Sequence, residues 1–360
     1  MHMNGHFPPF ICTGTPESDI SQRQSGQSHP YTHTYKQIIA KDSFVMAKHI
    51  SPIALGTWSW GTGAAGGDQV FGNQLTEADL KPVFDAAMAA GLNVWDTATV
   101  YGMGASEEIL GRLASDYPRE DLVLSTKFTP QISPDVPDPV DEMCEASLKR
   151  LGTDYIDIYW IHNPADVERF TPGLVGLVKS GKVRRVGVSN HNLEQIKRAE
   201  EILSAQGVHL SAVQNHFSLL YRSSEDAGIL EWCREHGVEF FAYMVLEQGT
   251  LSGKYSTANP LPAGSQRGET YNPLMPRIDQ VVASMRPIAE AHGVHVAQIP
   301  LAWAISKGTT PIIGVTKLAQ VADAAAAAQV KLTDGEMAAI EEAAQEAHVD
   351  TRGSWENPMA

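Results

Sequence analysis

Positive charge, cysteine and long apolar runs are all scarce in this chain. Of its 360 residues, 27 are lysine or arginine and 42 are aspartate or glutamate, so the formal net charge is −15. This balance argues against binding to a nucleic-acid backbone, which requires a basic face on the protein. No stretch approaches the roughly 18 apolar residues that a membrane-spanning helix needs. We therefore expect neither a nucleic-acid partner nor a membrane partner.

Cysteine is the scarcest of the chemically reactive residue types. Cys12, Cys144 and Cys233 lie far apart in the chain and match no metal-ligand spacing. Few, widely separated cysteines are typical of a reducing compartment, where thiols stay unpaired. The sequence therefore predicts idle thiols and a cytoplasmic protein.

The first 45 residues differ in composition from the rest. They are rich in Ser, Thr, Gln, His, Gly and Pro and show no apolar periodicity. Such a segment buries too little apolar surface to offset the entropy lost on ordering. It lacks the apolar core of a secretory signal and the arginine-rich amphipathic pattern of a transit peptide. We predict a disordered extension over residues 1–45, or an upstream start codon with Met46 as the natural start, and one domain over residues 46–360.

From Ser51 onward, short β-rich runs alternate with amphipathic stretches. The runs are nearly continuous in apolar residues, as expected of a parallel sheet covered on both faces. There are eight of them: PIALGTW, LNVWDTA, LVLSTKF, YIDIYWIH, VRRVGVSN, SAVQNHF, EFFAYMV and TPIIGVT. Helical patterns between them cover residues 77–90, 106–114, 139–151, 193–205 and 225–236.

Eight strand–helix units predict an α/β fold, a closed (β/α)8 TIM barrel. An open doubly wound sheet is the alternative, but the Gly-rich stretch at residues 61–67 does not give the GxGxxG spacing after a strand that the dinucleotide motif requires. The interval between the seventh and eighth strands is about 70 residues, against about 30 elsewhere. It includes a Gly- and Pro-rich stretch at 249–276 and helical patterns at 278–291 and 296–306. We predict a long lid loop after the seventh strand and a C-terminal helix.

Ionisable residues end the second, third and fourth predicted strands. Asp96 ends the second strand and Tyr101 lies in the loop after it, Lys127 lies at the end of the third, and His162 ends the fourth. The C-terminal ends of barrel strands converge on one mouth. A tyrosine has a reference pKa near 10, and a neighbouring ammonium, held by a carboxylate, favours its phenolate. These four side chains thus suit proton transfer to a carbonyl that the histidine orients.

Each of the four residues also has a simpler interpretation on its own. Asp96 could cap a helix, Tyr101 could lie on the surface, and Lys127 could extend its ammonium to solvent. A single histidine after a strand is more often a hydrogen-bonded structural residue than a catalyst. Only the combination of the four favours catalysis.

Six segments in order, DTATVYG, STKF, DIYWIHNP, VGVSN, VQNHFSLLYR and QGTLSGKY, resemble the aldo-keto reductase superfamily. The resemblance covers about residues 50 to 345. It implies reversible, NADPH-dependent reduction of an aldehyde or ketone to an alcohol. It also assigns the catalytic tetrad to Asp96, Tyr101, Lys127 and His162, with Tyr101 as general acid.

The same resemblance implies where the cofactor binds. Ser189, Asn190 and Gln214 offer the donors and acceptors that a carboxamide needs, and they match the residues that hold the nicotinamide amide. Tyr243 matches the aromatic residue that stacks on the nicotinamide ring. Leu246, Gly249, Leu251 and Lys254 match the part of the family's lid that binds the cofactor pyrophosphate. Here MVLEQ, which contains Met244 and Glu247, replaces a common Ser-Pro-Leu pattern.

A phosphate site is predicted just after the eighth strand. The backbone N–H groups and dipole of a helix start, together with the Lys317 ammonium, favour an anion there. The candidate residues are Gly314, Thr316, Lys317 and Gln320. Two departures from the family pattern, Ala324 in place of a common Asn and one basic residue in place of two, leave NADH possible beside NADPH.

Four aromatic residues lie near the predicted rim: Trp58, Trp60, Phe128 and Trp160. They predict an apolar wall for a bulky aromatic or alicyclic carbonyl substrate. One alternative is a regulatory barrel, similar to a channel β-subunit, that binds NADP(H) with little turnover. A metal-dependent hydrolase or isomerase is the other, but it needs more His and carboxylate ligands at strand ends than Asp96 and His162, so we predict no metal.

Overall fold

The computed structural model describes residues 50–353 and 356–359. The extension predicted over residues 1–45 lies outside the described residues. Eight parallel strands close into a barrel in sequence order: β1 (Ala54–Gly56), β2 (Val94–Asp96), β3 (Val123–Phe128), β4 (Ile156–Ile161), β5 (Val183–Ser189), β6 (Leu210–His216), β7 (Glu239–Tyr243) and β8 (Thr310–Gly314). The prediction of a (β/α)8 barrel is confirmed.

The strand register brings particular side chains side by side at the C-terminal mouth. Closure occurs at β1, where Ala54 pairs with Val94 on β2 and with Ile312 on β8. On the opposite side, His216 at the end of β6 pairs with Tyr243 at the end of β7. Polar residues that are distant in sequence therefore share one rim.

A small apolar cluster fills the barrel interior, with Trp160 and Phe241 as its largest side chains. Their rings meet edge to face with centroids 5.4 Å apart. Gly187 on β5 makes room for the indole, because a Cβ at that position would lie 2.3 Å from Trp160 Cε3. The interior is thus packed with side chains, as is usual for this architecture.

Helices surround the barrel and occupy the long connections. They are α1 (Gly67–Phe71), α2 (Glu77–Ala89), α3 (Ala105–Ala114), α4 (Pro139–Leu151), α5 (Val167–Phe170), α6 (Gly173–Lys179), α7 (Leu193–Ser204), α8 (Ser223–Asp226), α9 (Ile229–His236), α10 (Gln266–Tyr271), α11 (Met275–His292), α12 (Gln298–Ser306), α13 (Leu318–Ala327) and α14 (Asp334–Glu346). Over residues 50–353 and 356–359, no helix combines the length and apolar character that crossing a membrane requires.

The helical patterns agree with the structure apart from one break. The segment predicted as one helix over residues 225–236 is divided into α8 and α9, because Gly228 between them has a φ of +76°. A left-handed residue cannot continue a right-handed helix. The C-terminal helix α14 begins with a capping box between Thr333 and Glu336, which satisfies two backbone N–H groups of its first turn.

The long segment after β7 is folded against the barrel. It contains a short 3₁₀ turn (Glu247–Ser252), then α10, a second 3₁₀ turn (Asn272–Leu274) and α11. Leu261 and Tyr271 from this segment are buried in the hydrophobic core. The predicted lid is therefore anchored at several points.

Candidate active site

A buried ion pair joins the ends of β2 and β3. Lys127 Nζ lies 2.6 Å from Asp96 Oδ2 and donates a second hydrogen bond, of 2.7 Å, to the Thr97 carbonyl. The lysine is wholly buried and Asp96 is 4% exposed. Burying two charges costs more than their attraction returns unless further hydrogen bonds satisfy them. At Asp96 those bonds come to Oδ1 from Ser125 Oγ at 2.8 Å and Gln214 Nε2 at 3.2 Å.

The orientation of the Asp96 carboxylate is fixed from inside the barrel. Trp160 Nε1 donates a 2.7 Å hydrogen bond to Ser125 Oγ, and Ser125 in turn donates to Asp96. The chain of donors aligns the carboxylate toward Lys127. Trp160 therefore acts through Ser125 to position the ion pair.

Tyr101 lies over this pair in a sharp turn. Residues 101–104 form a 3₁₀ turn in which Gly102, Met103 and Gly104 all have positive φ. Lys127 Nζ lies 5.2 Å from the centroid of the Tyr101 ring. The His162 ring meets Tyr101 nearly edge-on, with centroids 6.0 Å apart. The structure thus brings together the four predicted tetrad residues, Asp96, Tyr101, Lys127 and His162.

The surroundings keep Tyr101 protonated. Desolvation raises the pKa of its hydroxyl and the Asp96 carboxylate raises that pKa further. The net shift is upward, opposite to the lowering that we expected from the neighbouring ammonium. Desolvation also lowers the pKa of the Lys127 ammonium, although Asp96 opposes that shift. Tyr101 is therefore a neutral phenol, the form that can give a proton.

His162 is neutral as well. Desolvation, and then the nearby Lys127 ammonium, hold the pKa of its imidazole well below the usual value. Thr129 Oγ1 lies 3.0 Å from Nδ1. Within the described residues Nε2 has no hydrogen-bond partner, nor does the Tyr101 hydroxyl. Two polar atoms at the mouth are thus open to a ligand.

The residues predicted to hold a carboxamide lie beside the tetrad. Ser189, Asn190 and Gln214 are all buried, at the ends of β5 and β6. Asn190 Nδ2 donates to the His162 carbonyl at 2.9 Å. Gln214 Nε2 donates to Asp96. Two of the three residues predicted to hold the carboxamide are therefore hydrogen-bonded directly to tetrad residues.

Tyr243, the predicted stacking residue, stands at the end of β7 and is partly exposed. Its ring stacks on His216 with centroids 5.5 Å apart. Its hydroxyl lies 2.5 Å from Asn190 Oδ1 and 2.9 Å from Glu356 Oε1. The ring is therefore held at both its face and its hydroxyl.

The predicted phosphate segment follows β8 and leads into α13. Lys317 is the exposed N-cap residue of that helix, and Gly314 is exposed too. Gln320 Oε1 accepts from the Thr316 backbone N–H at 2.8 Å and lies 3.3 Å from Thr316 Oγ1. Ala324 is wholly buried, so it offers no surface to a ligand.

Of the lid residues predicted to bind the cofactor pyrophosphate, some lie at the surface and one lies in the core. Lys254 is exposed, and Gly249 has a φ of +98° that strongly favours glycine. Leu246 is partly buried, whereas Leu251 is wholly buried within the hydrophobic core. Leu251 is therefore a packing residue in this structure, because it presents no atom to a ligand.

Only one of the four aromatic residues predicted to form a wall of the substrate site is even partly exposed. Trp58 is partly exposed and stacks on Tyr101 with centroids 5.8 Å apart. Trp60, Phe128 and Trp160 are wholly buried: Trp60 packs on Trp95, Phe128 on Phe170 and Trp160 in the barrel interior. These three are core residues, so we keep the prediction of substrate contact for Trp58 alone.

A second charged cluster at the mouth was not predicted. We name it the His216 cluster; it consists of His216, Glu247 and Glu356. His216 Nδ1 lies 3.0 Å from Glu356 Oε1, and Nε2 lies 2.9 Å from Glu247 Oε1. Burial lowers the pKa of His216, but the two carboxylates outweigh it and raise that pKa to about 9. The imidazole is therefore charged at neutral pH.

Glu247 accepts more hydrogen bonds than the other members of this cluster. Its carboxylate also accepts from Tyr271 Oη and Thr351 Oγ1, each at 2.8 Å, and from Ser218 Oγ. The backbone around it is left-handed at Met244, Glu247 and Gln248, a conformation that non-glycine residues keep only when their surroundings hold them. The one signal in the sequence was the charged residue Glu247 of MVLEQ, which directly follows an apolar run.

Residues 52–345 match the model of the aldo/keto reductase family. The chain belongs to the aldo/keto reductase family. It is 32% identical over 313 residues to the chloroplastic pyridoxal reductase of Arabidopsis thaliana, with 82% of this chain and 84% of that protein covered. It is 34% identical over 309 residues to an aldo-keto reductase of Strobilurus tenacellus, with 82% and 90% covered. The protein is accordingly an oxidoreductase.

Solved structures of similar fold include two enzymes of the same family. A glycerol dehydrogenase from Gluconobacter oxydans superposes with a TM-score of 0.71 at 26% identity, covering 83% of this chain and 92% of that one. An aldo/keto reductase from Klebsiella pneumoniae, solved with NADP and acetate, gives a TM-score of 0.62 at 27% identity and covers 86% and 95%.

Proposed function

We propose that the protein reduces a bulky aldehyde or ketone to an alcohol with NADPH, and that the reaction is reversible. The observation that carries the proposal is the neutral Tyr101 hydroxyl above the buried Asp96–Lys127 pair, beside a neutral His162. A protonated phenol with no competing partner among the described residues is ready to act as a general acid.

The residues present fit a nicotinamide dinucleotide. Ser189, Asn190 and Gln214 form a cluster of amide and hydroxyl groups that suits a carboxamide, and Lys317 at the start of α13 suits a phosphate. When bound, NADPH supplies a hydride to the substrate carbon. The complexes of Klebsiella pneumoniae reductases with NADP and NADPH support this choice of cofactor.

The protein's own part is to handle the proton. His162 Nε2 orients the carbonyl, and the Tyr101 hydroxyl gives its proton to the carbonyl oxygen. The Lys127 ammonium stabilises the negative charge left on the tyrosine oxygen, and Asp96 keeps that ammonium in place and charged. In the reverse direction the phenolate takes the proton back from the alcohol.

The substrate is proposed to be apolar near its carbonyl, since Trp58 stacks on Tyr101 and is partly exposed there. Lys317 is the one basic residue of the phosphate segment, so NADPH is preferred and NADH remains usable.

The test is a panel of aromatic, alicyclic and short aliphatic carbonyl compounds, assayed with NADPH and NADH separately by loss of reduced-cofactor absorbance. We expect steady-state turnover without any partner protein, higher kcat/KM for the bulky compounds, and a preference for NADPH. Tyr101→Phe is the matched control. Binding of NADPH with no turnover across the panel would favour the regulatory alternative instead.

A further inference from the structure

The described C-terminal residues 356–359 reach the mouth of the barrel. Glu356 is 8% exposed and Met359 is 1% exposed. The Glu356 carboxylate contacts His216 at the end of β6 and Tyr243 at the end of β7. A residue 140 positions after His216 therefore takes part in the rim of the site.

The hydrogen bonds around Tyr243 leave one proton for two acceptors. Asn190 Nδ2 donates to the His162 carbonyl, so Asn190 Oδ1 is the atom that faces the Tyr243 hydroxyl at 2.5 Å. Glu356 Oε1 accepts from the same hydroxyl at 2.9 Å. A phenol carries a single proton, so it can donate fully to only one of the two acceptors.

The neighbours of Glu356 make its carboxylate the stronger acceptor. A charged oxygen accepts a hydrogen bond more strongly than an amide oxygen. The imidazole of His216 lies between Glu356 and Glu247, and it keeps the Glu356 carboxylate fixed beside Tyr243. The hydroxyl therefore lies between Glu356 and Asn190, and these two contacts fix the orientation of the Tyr243 ring.

We propose that Glu356 is a positioning residue for the nicotinamide end of the cofactor site: by accepting a hydrogen bond from the Tyr243 hydroxyl, it fixes the ring on which the nicotinamide is expected to stack. The inference rests on the proposed function, since it assumes that NADPH is the ligand. Glu356 need not contact the cofactor, because its effect passes through the Tyr243 hydroxyl.

A purely structural role for Glu356 is the competing explanation, because its contact with His216 also stabilises the fold. The two roles separate in a double-mutant cycle with Tyr243→Phe. If Glu356 acts through the hydroxyl, removing the hydroxyl abolishes its effect on cofactor binding. Its effect on the melting temperature depends on His216 and persists in that background.

The experiment measures the NADPH dissociation constant by titration calorimetry, and the melting temperature, for the full-length wild type, Glu356→Gln, Tyr243→Phe and the double variant. We expect Glu356→Gln to raise the dissociation constant about 10-fold, because a neutral acceptor replaces the charged one that holds the Tyr243 hydroxyl. In the Tyr243→Phe background the same change should alter it less than 2-fold, while the melting temperature falls in both backgrounds.

Glu341→Gln is the matched control. It removes a carboxylate that accepts from Trp303 Nε1 at 2.8 Å and pairs with Arg222 at 2.9 Å. It should lower the melting temperature without changing the NADPH dissociation constant. Should Glu356→Gln fail to fold, Glu356→Asp keeps the charge beside His216 but shortens the side chain, and the same cycle applies.

The outcomes separate the two proposals. A wild type that binds no NADPH overturns the proposed function. A wild type that binds NADPH, with Glu356 variants that bind equally well or weaken binding equally in both backgrounds, overturns the positioning role alone.

Discussion

Two buried clusters of charged residues lie at the mouth of the barrel. They differ in how many of their polar atoms have hydrogen-bond partners. Around the Asp96–Lys127 pair, the Tyr101 hydroxyl and His162 Nε2 have no hydrogen-bond partner within the described residues. In the His216 cluster, both ring nitrogens lie within hydrogen-bond distance of carboxylates, and Glu247 accepts from four side chains. The first cluster thus leaves polar atoms available to a ligand, whereas the second holds the surrounding chain segments together.

The clusters differ in origin as well. Asp96 and Lys127 are 31 residues apart on neighbouring strands, so the barrel alone brings them together. Glu247 lies in the lid segment, and Glu356 is 140 residues from His216. The His216 cluster therefore forms only when the lid and the C-terminal segment dock on the barrel.

The largest expected effect comes from removing the reactive hydroxyl. Tyr101→Phe should lower kcat by about 10²–10⁴-fold, the usual effect of a positioned general acid. The NADPH dissociation constant should change by less than about 3-fold, because the ring and its stacking on Trp58 remain. Steady-state kinetics and calorimetry on one preparation check both values; near-normal kcat would contradict the mechanism.

The coupling of Tyr101 to Lys127 is a second test of the same cluster. Lys127→Met removes the ammonium that stabilises the phenolate, so kcat should fall by a similar factor. Because the two residues act on one proton transfer, the double variant should be scarcely slower than either single variant. Fully additive losses would show that Lys127 acts elsewhere.

Lys127→Met should also lower the free energy of unfolding by about 3–5 kcal/mol, since it leaves the Asp96 carboxylate buried without its counter-ion. Lys182→Met is the matched control. Lys182 is partly exposed and pairs with Asp141, so its loss should cost about 1 kcal/mol or less. Urea unfolding of both variants gives the comparison, and equal losses would contradict the burial argument.

The His216 cluster should make stability depend on pH. The folded-state pKa of His216 is raised to about 9 from 6.5, so its contribution is complete below pH 6.5 and is lost as the pH rises through 9. The free energy of unfolding should therefore fall by up to about 3 kcal/mol across that interval. The titratable groups that face the imidazole are Glu247, Glu356, Tyr221 and Tyr243.

Glu356→Gln removes one of the two carboxylates that raise this pKa. Urea unfolding between pH 6 and about 9.5 should show a smaller fall in that variant than in the wild type. An identical pH profile for the two proteins would exclude His216 as the titrating group.

One expected effect lies outside both clusters. Lys317→Ala should raise the KM for NADPH by about 10- to 100-fold, the effect expected of a lost charge-assisted contact with the 2′-phosphate. The KM for NADH should change little, because that cofactor lacks the phosphate. Equal changes for both cofactors would place Lys317 away from the phosphate.

The sequence was sufficient to predict the barrel and the proximity of Asp96, Tyr101, Lys127 and His162, because both depend on local order. Each tetrad residue lies at or just after the end of an apolar strand, and the architecture brings strand ends together. The aromatic wall could not be predicted in the same way. In a strand buried on both faces, apolar residues point inward and outward alike, so the sequence did not distinguish Trp160, inside the barrel, from Trp58, at the rim.

The His216 cluster was beyond prediction for a different reason. Its members lie on a strand end, in the lid and in the C-terminal segment, with no periodicity linking them. The departure MVLEQ was visible, but the burial of Glu247 and its four donors depend on tertiary packing. Long-range convergence of this kind leaves little trace in local sequence patterns.

Single-turnover kinetics at several NADPH concentrations tests most directly whether the two clusters divide their roles. One experiment yields both the rate of hydride transfer at saturation and the NADPH dissociation constant. For Tyr101→Phe we predict a lower rate and an unchanged dissociation constant; for Glu356→Gln, a higher dissociation constant and a nearly unchanged rate at saturation. If both variants change the same quantity, the division between a reacting cluster and a holding cluster is contradicted.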